Sequence, residues 1–576
     1  MQDIKNNTAI DLRIDNAQIA DVFSGTFFHG SVCVHKGIIV GFSEDMYAKK
    51  VFDAENAYLL PAFFDAHVHI ESSMLCPEKF AELVIPFGTG TVIADPHEIA
   101  NVKGTDGIRY MLESARQSLL DVKIMLPSCV PALPFECSGA NLSALDLAEL
   151  ITEENVLGLG EMMNVPGVLM QDESVLEKLE LAYKNGRIID GHAPQVHGKD
   201  LDMYVLSGVS TDHECTTAEE AAERIRRGMY VLLREGSAAH DLVNLLPAVN
   251  SHTIQNCLFC TDDKQCIDIM RRGHINNSVS LAIEHGIAPI DAVRMATINT
   301  ARAYGIRHKG AIAPGMEASF MLVKDMKKCM PHAVYIQGRL AAENGKYIAA
   351  GSKKYNAKLE QLTDNMQDSM HAELPKDLTL HIPSKKARVI RLLPHSLLTA
   401  CEIADIAVDA DGNFDFSRNK GMLKLAVVER HKKTGKFGLG LLHGEYGLKN
   451  GAIATSISHD SHNIVAAGDN DEDLRIALEE IEKMGGGIAM ISQGKILTKL
   501  ALPIGGLMST QQPEIVATAL KHLYKLAKDH YQIWDKADAF MSLSFLALPV
   551  IPDLKLTPQG LFDVTTFQFV SLDAEE

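Results

Sequence analysis

The chain has 576 residues, of which 46 % are hydrophobic and 22 % charged, a composition typical of a folded globular protein with several domains. Its formal net charge of −19 argues against nucleic acid or an anionic membrane as the main partner and favours a small neutral or cationic ligand. The N-terminus is polar, the ten cysteines are scattered, and the longest apolar stretch, Ala539–Pro552, is too short to span a membrane. We therefore expect a cytoplasmic protein.

The first part of the chain predicts a small antiparallel sheet. Residues 9–58 alternate apolar and polar side chains in short runs that are broken by Gly25, Gly30 and Gly37. Glycine-punctuated strands return much later, in residues 310–323 and 333–347. We expect these to complete the same sheet, so that residues 1–58 and 307–350 form one β-domain.

Between these flanks, apolar strands alternate with helical stretches, which predicts repeated βα units and a parallel sheet. Helices are expected at Glu78–Phe87, Thr105–Ser118 and Ser174–Asn185, with a closing helix at Pro289–Tyr304. Eight strands match the count of a TIM-type (β/α)8 barrel over residues 59–306. They are Ala62–His69, Thr91–Asp95, Lys123–Pro127, Val156–Glu161, Arg187–His192, Val209–His213, Tyr230–Leu233 and Asn256–Asp262.

A linker and a further domain are expected after the barrel. Residues 351–385 are polar, lysine-rich and interrupted by prolines, which is typical of a linker. In residues 386–576, short strands at Leu423–Glu429, Gly438–His443 and Ile488–Ser492 flank a helix from Asp471 to Met484, so we expect an α+β domain. The fold class is thus α/β, a barrel with two additional domains.

Metal-ligating side chains stand at the carboxyl ends of the barrel strands, where catalytic groups converge in this fold. His67 and His69 project from one face of their strand because side chains alternate with period two. With Asp262 they could hold one divalent ion, while His192 and His213 hold a second and Glu161 bridges both. Two ions that share a water lower its pKa and provide hydroxide.

Six strings of residues carry a resemblance to a known family. They are PAFFDAHVHIESSM, ADPHEIANV, GLGEMMN, DGHAP, STDHE and LFCTDD. From about residue 10 to the C-terminus the chain resembles the adenine deaminase family of the amidohydrolase superfamily, in which a glutamate replaces the carboxylated lysine that many members carry on strand four. The resemblance implies a purine-salvage enzyme that converts adenine and water to hypoxanthine and ammonia with bound Mn²⁺ or Fe²⁺.

The residues allow a mechanism consistent with this resemblance. A metal-bridging hydroxide attacks C6 of the purine, and Asp262 carries the proton of the hydroxide to the leaving amine. Glu98 and Glu235 are both candidates to protonate ring nitrogen N1. Side chains that could contact the ring, with purely structural roles as an equal alternative, are Ser73, Arg234 and Ser237. The absence of thiolate ligands favours Mn²⁺ or Fe²⁺ over Zn²⁺.

Two alternative functions stay open from the sequence. One is a cyclic-amide hydrolase of the same superfamily, such as a dihydropyrimidinase, although the strand-four lysine usual there is missing. The other is a metal-binding scaffold without catalysis. We expect a homo-oligomer. We also expect the polar cluster His459–His462 to form a solvated loop or a lid over the barrel mouth.

Overall fold

The computed structural model describes residues 9–349, 356–394, 396, 398–443, 446–533 and 537–575. The start of the expected β-domain and residues 350–355, where the β-domain and the linker were expected to meet, lie outside the described residues. The chain divides into two units. The barrel unit comprises Met1–Pro96, Met111–Ser128 and Ser143–Tyr355, and the C-terminal unit comprises His97–Tyr110, Cys129–Leu142 and Asn356–Glu576.

The barrel unit contains eight parallel strands among its described residues, arranged as a five-stranded and a three-stranded sheet. Ser210 N–H donates to the Ile189 carbonyl between the fifth and sixth strands, and Asp262 N–H donates to the His67 carbonyl between the eighth and the first. The result is a TIM-like barrel. Its strands are Phe63–Val68, Thr89–Ala94, Asp121–Leu126, Val156–Met162, Ile188–Gly191, Thr211–Asp212, Tyr230–Arg234 and Cys257–Cys260.

Helices follow the barrel strands in turn, as the alternating pattern predicts. The helices from the first barrel strand onwards are Pro77–Val84, His97–Ala115, Ala144–Leu147, Val165–Leu169, Glu173–Lys184, Gly198–Leu206, Ala218–Arg226, Leu242–Leu245, Cys266–Arg272, Ile275–Glu284, Pro289–Met295 and Ile298–Ala303. Short 3₁₀ turns lie at Ile70–Ser73, Ile85–Phe87, Leu150–Thr152, Leu246–Ala248 and Ile254–Asn256. The interior is packed with apolar side chains such as Ala66, Ile93 and Leu258.

Several boundaries differ from the sequence-based prediction, among them the following three. The sixth strand pairs only over Thr211–Asp212. The eighth ends at Cys260, because Asp262 has a φ of 56° and leaves the extended region. The expected closing helix is two helices, since Thr297, with φ −139° and ψ −95°, interrupts it.

A third sheet of the barrel unit has nine strands among the described residues and combines strands from both flanks of the barrel. They are Leu12–Asp21, Thr26–His35, Ile38–Gly41, Val51–Asp53, Tyr58–Pro61, Phe320–Val323, Pro331–Ile336, Arg339–Glu343 and Lys346–Tyr347. Tyr58–Pro61 pairs antiparallel with Phe320–Val323, so the two flanks meet directly. Buried side chains including Ile14, Val32 and Phe320 form its core.

The C-terminal unit is built on a mixed sheet of eight strands in the part of the chain described. They are Lys386–Leu392, Thr399–Asp405, Met422–Val428, Phe437–His443, Ala452–Thr455, Ile464–Gly468, Gly487–Ser492 and Lys495–Ala501. The helix Asp471–Lys483 buries Leu474, Ala477 and Ile481 in the core with the sheet. The remaining elements are the helices Pro513–Asp529 and Met541–Ser544, the 3₁₀ turn Phe545–Ala547, and the strands Leu554–Thr557, Gly560–Asp563 and Gln568–Val570.

Two expectations about this unit need correction. The expected linker contains the helix Ala357–Gln367, whose first N–H groups are capped by the side chain of Asn356. Residues His97–Tyr110 and Cys129–Leu142, expected to belong to the barrel, group with the C-terminal unit. Hydrogen bonds join these segments to the rest of the unit: Asn463 Nδ2 donates to the Cys137 carbonyl, and Lys103 Nζ donates to Asn365 Oδ1.

Across the described part of the chain, no helix has both the length and the apolar character needed to cross a membrane.

Candidate metal centre

Two histidines lie side by side at the end of the first barrel strand. His67 and His69 are both buried, and their Nε2 atoms are 3.2 Å apart. The backbone carbonyl of Asp95, which follows the second strand, lies 2.9 Å from His69 Nδ1. A carbonyl can only accept, so the proton of the neutral ring sits on Nδ1 and the lone pair of Nε2 faces His67. Such a contact is the usual way in which a metal-binding histidine is oriented.

The carboxylate of Glu161 lies between two pairs of histidines. Its Oε1 atom is 3.3 Å from His69 Nε2 and 4.0 Å from His67 Nε2. Its Oε2 atom is 2.8 Å from His192 Nδ1 and 3.2 Å from His213 Nε2. One carboxylate therefore offers a separate oxygen to each pair, which is the arrangement that a bridging ligand requires.

Asp95, which follows the second strand, positions the Glu161 carboxylate. Asp95 Oδ2 accepts the backbone N–H of Glu161 at 2.9 Å. The approach is possible because residue 160 is glycine: a Cβ there would lie 2.1 Å from Asp95 Oδ2. Asp95 thus supports both His69, through its carbonyl, and Glu161, through its side chain.

Asp262, which follows the eighth strand, completes the set of candidate metal ligands. Its Oδ1 atom is 3.0 Å from His69 Nε2 and 3.5 Å from His67 Nε2, and Arg234 Nη1 donates to its Oδ2 at 3.0 Å. Burial would raise the pKa of Asp262, but contacts with His67, His69 and Arg234 hold it well below the usual range. The left-handed φ of 56° is unfavourable for aspartate, and such strain is found most often at functional sites.

The pKa values of His67 and His213 shift in opposite directions. Burial, together with the neighbouring His213, lowers the pKa of His67 to about 4. For His213 burial also disfavours the charged ring, yet the hydrogen bond with Glu161 and the negative charges of Glu161, Asp262 and Glu214 raise its pKa to about 9. Carboxylates that draw protons onto a buried imidazole would be satisfied equally by a cation.

The donor set fits divalent metal ions. The six side chains at the strand ends form overlapping groups whose ligand atoms lie within 4.8 Å of one another. Ligand atoms about 2.1 Å from one ion at tetrahedral angles are roughly 3.4 Å apart. The separations between His67, His69 and Asp262 are close to this spacing. In the other group, His213 Nε2 is 3.2 Å from Glu161 Oε2 and 3.3 Å from His192 Nδ1, while His192 Nδ1 lies nearer to Glu161 Oε2, at 2.8 Å. His67, His69 and Asp262 could thus hold one ion, and His192 and His213 another, with Glu161 between them.

Other residues singled out from the sequence have partners of their own. Arg234 is bonded to Asp262, to Asp241 at 3.0 Å and to Glu214, so its guanidinium lies within an ion-pair network. Ser73 Oγ donates to the Ile70 carbonyl inside a 3₁₀ turn. Ser237 Oγ donates to Asp268. Glu235 is buried and lies 2.8 Å from His240 Nδ1.

Glu98 belongs to the C-terminal unit. Its Oε1 atom is 2.8 Å from His459 Nδ1, and its Oε2 atom contacts His462 Nε2. All three side chains are buried, as are Asp460 and Ser461, so the expectation of a solvated loop at His459–His462 is wrong. Burial would raise the pKa of Glu98, but His459, His462 and His97 hold it well below its ordinary value.

Glu214 was missed by reasoning from the sequence. It follows His213 directly, its Oε1 atom is 3.5 Å from His213 Nε2, and it pairs with Arg234. The signal was present in the string STDHE, where a second carboxylate stands at the end of the sixth strand. Its partner Arg234 comes from the next strand, so the pairing becomes visible only when the strands are neighbours.

A parallel barrel with a buried histidine and carboxylate cluster at its strand ends is the arrangement expected of a hydrolase of the amidohydrolase type. The amidohydrolase family model matches residues 58–341, and members of that family use a divalent metal ion. The adenine deaminase C-terminal domain model matches residues 396–568.

Relatives of nearly full length identify the family more closely. The chain is 48 % identical over 569 residues to "Adenine deaminase" from Nitratidesulfovibrio vulgaris (strain DP4), covering 98 % of this chain and 96 % of that protein. It is 46 % identical over 560 residues to "Adenine deaminase 2" from Carboxydothermus hydrogenoformans, covering 97 % and 96 %. For "Adenine deaminase" from Geobacillus kaustophilus the identity is 45 % over 570 residues, covering 98 % and 97 %. The chain belongs to the adenine deaminase family.

Proposed function

We propose that this protein is a hydrolase that converts adenine and water to hypoxanthine and ammonia. The observation that carries the proposal is the carboxylate of Glu161, which offers one oxygen to His67 and His69 and the other to His192 and His213. Membership of the adenine deaminase family supports adenine as the substrate.

The site is proposed to hold two divalent ions. His67, His69 and Asp262 would hold one and His192 and His213 the other, with Glu161 shared. Such a pair lowers the pKa of a bound water and supplies a nucleophile at neutral pH. The ligands are imidazoles and carboxylates, without the thiolates that favour zinc, so we propose Mn²⁺ or Fe²⁺. Reconstitution of metal-free protein with each ion should give higher activity with manganese or iron than with zinc, and the reverse order would contradict this choice.

Asp262 is proposed to transfer the proton. Its contacts with His67, His69 and Arg234 hold its pKa well below the usual range and favour the carboxylate, which can accept a proton from the attacking water and return it to the departing amine. Its Oδ2 atom is held by Arg234 while Oδ1 faces His67 and His69, which fixes the carboxylate in one orientation. Arg234 is therefore proposed to position Asp262, which is a different role from the ring contact first expected.

Protonation of ring nitrogen N1 requires an acid, and Glu235 is the better of the two candidates. Both oxygens of Glu98 are in contact with histidine nitrogens, and its pKa lies well below the ordinary value, so Glu98 is a poor proton donor at neutral pH. Glu235 contacts His240 with one oxygen. We expect Glu235→Gln to lower kcat more than Glu98→Gln does at equal metal content.

Incubation of the metal-loaded protein with adenine tests the function directly. Hypoxanthine and ammonia should form in equal amounts, and removal of the metal by a chelator should abolish both. Dihydrouracil serves as the second substrate, because its hydrolysis in the absence of adenine turnover would favour a cyclic-amide hydrolase. Turnover of neither substrate by fully loaded protein would contradict both enzymes and leave a metal-binding scaffold.

The proposed domain layout follows the sheets. Residues 1–58 and 307–350 are assigned to the nine-stranded β-domain and residues 386–576 to the α+β domain. Residues 59–306 are assigned to the (β/α)8 barrel, apart from 97–110 and 129–142, which group with the C-terminal unit. The antiparallel pairing of Tyr58–Pro61 with Phe320–Val323 supports the two-part β-domain. Residues 351–385 are assigned to the linker, and limited proteolysis should cut there first if that segment connects separate domains.

Three further expectations from the sequence remain proposals: a cytoplasmic location, a homo-oligomeric state and a role in purine salvage. Light scattering coupled to size-exclusion chromatography measures the second of these. A mass equal to one chain of 62.9 kDa would contradict it.

A further inference from the structure

A small cavity lies in the C-terminal unit, lined in part by residues 135–137 and by the buried loop that includes Ser458 and Asn463. Its volume is about 10 Å³, which is room for one particle of the size of a water molecule. None of the six proposed metal ligands of the barrel unit lines it. The lining combines apolar side chains such as Val427 with a carboxylate, hydroxyl groups and amides, and it includes His459.

Two oxygen atoms in the lining have no partner among the described residues. They are Ser458 Oγ and Asn463 Oδ1, and the two side chains are only 1 % and 3 % exposed. Asn463 Nδ2 donates to the Cys137 carbonyl at 2.9 Å, which fixes the amide and turns its oxygen away from that bond. Buried polar atoms without partners are uncommon, so both oxygens indicate a ligand in the cavity.

The third oxygen source is the carboxylate of Glu136. Leu133 N–H donates to its Oε1 atom at 2.9 Å, and Ser461 Oγ donates to its Oε2 atom at 2.5 Å. A carboxyl group that accepts on both oxygens is best satisfied as the anion. Burial, supported by the negative charge of Asp460, nevertheless raises the pKa of Glu136 to about 8. Among the described residues, the groups that act on this carboxyl are a backbone N–H, a hydroxyl and the carboxylate of Asp460, with no positively charged side chain.

We propose that the cavity binds a monovalent cation of about the size of water, potassium or ammonium, through the oxygens of Glu136, Ser458 and Asn463. A cation supplies the positively charged partner that the Glu136 carboxylate lacks, and it satisfies the unpartnered oxygens of Ser458 and Asn463. A water molecule could contact the same oxygens but would supply no positive charge. One lining carboxylate with neutral hydroxyl and amide oxygens matches a single positive charge. Calcium and magnesium require more carboxylates or retained waters than this cavity can accommodate.

Thermal unfolding of the full metal-loaded chain in different chloride salts tests the proposal. Potassium or ammonium chloride should raise the melting temperature of the C-terminal unit by about 2–4 °C relative to tetramethylammonium chloride at equal ionic strength. The salt that acts at the lower concentration identifies the preferred ion. Glu136→Gln and Ser458→Ala should each abolish the shift. Glu482→Gln, an exposed position in the same unit, should retain it.

Crystals soaked in thallium(I), which resembles potassium in charge and size, provide a second readout. An anomalous peak in the cavity is expected for the wild type and should be absent in Ser458→Ala. This variant keeps the Glu136 carboxylate, so the test still works if Glu136 is needed for folding. Equal melting temperatures in all three salts and an absent peak would overturn the proposal and leave an ordinary buried water. Neither readout uses adenine turnover, so the outcome is independent of the catalytic proposal.

Discussion

Two buried clusters in this molecule contain the same residue types, histidine and carboxylate, but their histidine rings make different hydrogen bonds. In the barrel unit, His67 and His69 turn their Nε2 atoms towards each other and towards Glu161 and Asp262. In the C-terminal unit, His459 and His462 turn towards the single carboxylate of Glu98. Residue types alone would suggest a metal ion in both places.

The two clusters differ in the partner of the Nδ1 atom, which lies on the side of the ring that faces away from the cluster. In the barrel unit the Asp95 carbonyl faces His69 Nδ1, so the proton is held there and the Nε2 lone pair is available to a metal. In the C-terminal unit the backbone N–H of Ser458 donates to His462 Nδ1 at 3.2 Å, so the proton must lie on Nε2, where it is donated to Glu98. The first arrangement leaves ring lone pairs available to a cation, and the second is complete without one.

The largest effect is expected from Glu161→Gln. The amide keeps the size of the side chain but offers only one oxygen and no charge, so it cannot bridge two ions. The loss of turnover should exceed the roughly 10⁴-fold that removal of a single proton-transfer residue can cost. Elemental analysis should show fewer than two ions per chain. Glu154→Gln, an exposed position just before the same strand, is the control and should leave both measurements unchanged.

Asp262→Asn should separate binding from chemistry within the barrel cluster. His67, His69 and Glu161 would still hold the first ion, so most of the metal should be retained. Turnover should fall by about 10²–10⁴-fold, because the asparagine cannot accept the proton. If the variant instead keeps normal turnover at full metal content, the base must be another residue.

The C-terminal cluster should make the free energy of unfolding depend on pH. Burial lowers the pKa of His462 to about 4, whereas an unfolded histidine has a pKa near 6.5. Between these values the unfolded chain binds a proton that the folded chain does not, so the free energy of unfolding falls as the pH falls from 6.5 to 4. The loss should reach about 3 kcal/mol.

Urea unfolding of wild type and His462→Gln at several pH values between 7 and 4.5 measures this effect. Because both proteins share the barrel ligands, the difference between their curves isolates His462. The variant should be less sensitive to pH within the window, and parallel curves would show that His462 does not titrate as proposed. Below about pH 4.5, both proteins should lose further stability as Glu98 becomes protonated, since its folded pKa is depressed.

The smallest effect is expected from Glu98→Gln. The amide group places a donor where His459 or His462 already donates, and one buried donor then lacks an acceptor. The free energy of unfolding should decrease by about 1–3 kcal/mol while the metal content stays the same. A variant that loses an ion relative to wild type would show that this cluster is a metal site after all.

The cluster of proposed ligands in the barrel unit was accessible from the sequence because its assembly depends on local patterns. Period-two alternation places His67 and His69 on one face, and repeated βα units bring Glu161, His192 and His213 to the same end of the barrel. The structure brings all six of the expected ligands together. Glu214 was missed because its role depends on Arg234, which is 20 residues away in the chain.

The C-terminal cluster was not accessible in this way. The string Ser458-His-Asp-Ser-His462 is polar, and a polar run ordinarily predicts a solvated loop. Its burial depends on Glu98, which is 364 residues away from His462, and on the buried guanidinium of Arg430, which donates to the His462 carbonyl. Partners so remote leave no periodic signal, so the grouping of residues 97–110 with the C-terminal unit could not be foreseen either.

The comparison between the clusters is tested most directly by anomalous diffraction from crystals of the manganese-loaded protein. The account predicts two peaks on either side of the Glu161 carboxylate, with His67, His69 and Asp262 around one and His192 and His213 around the other, and no peak beside Glu98. A single peak at Glu161, or any manganese bound between Glu98, His459 and His462, would contradict it.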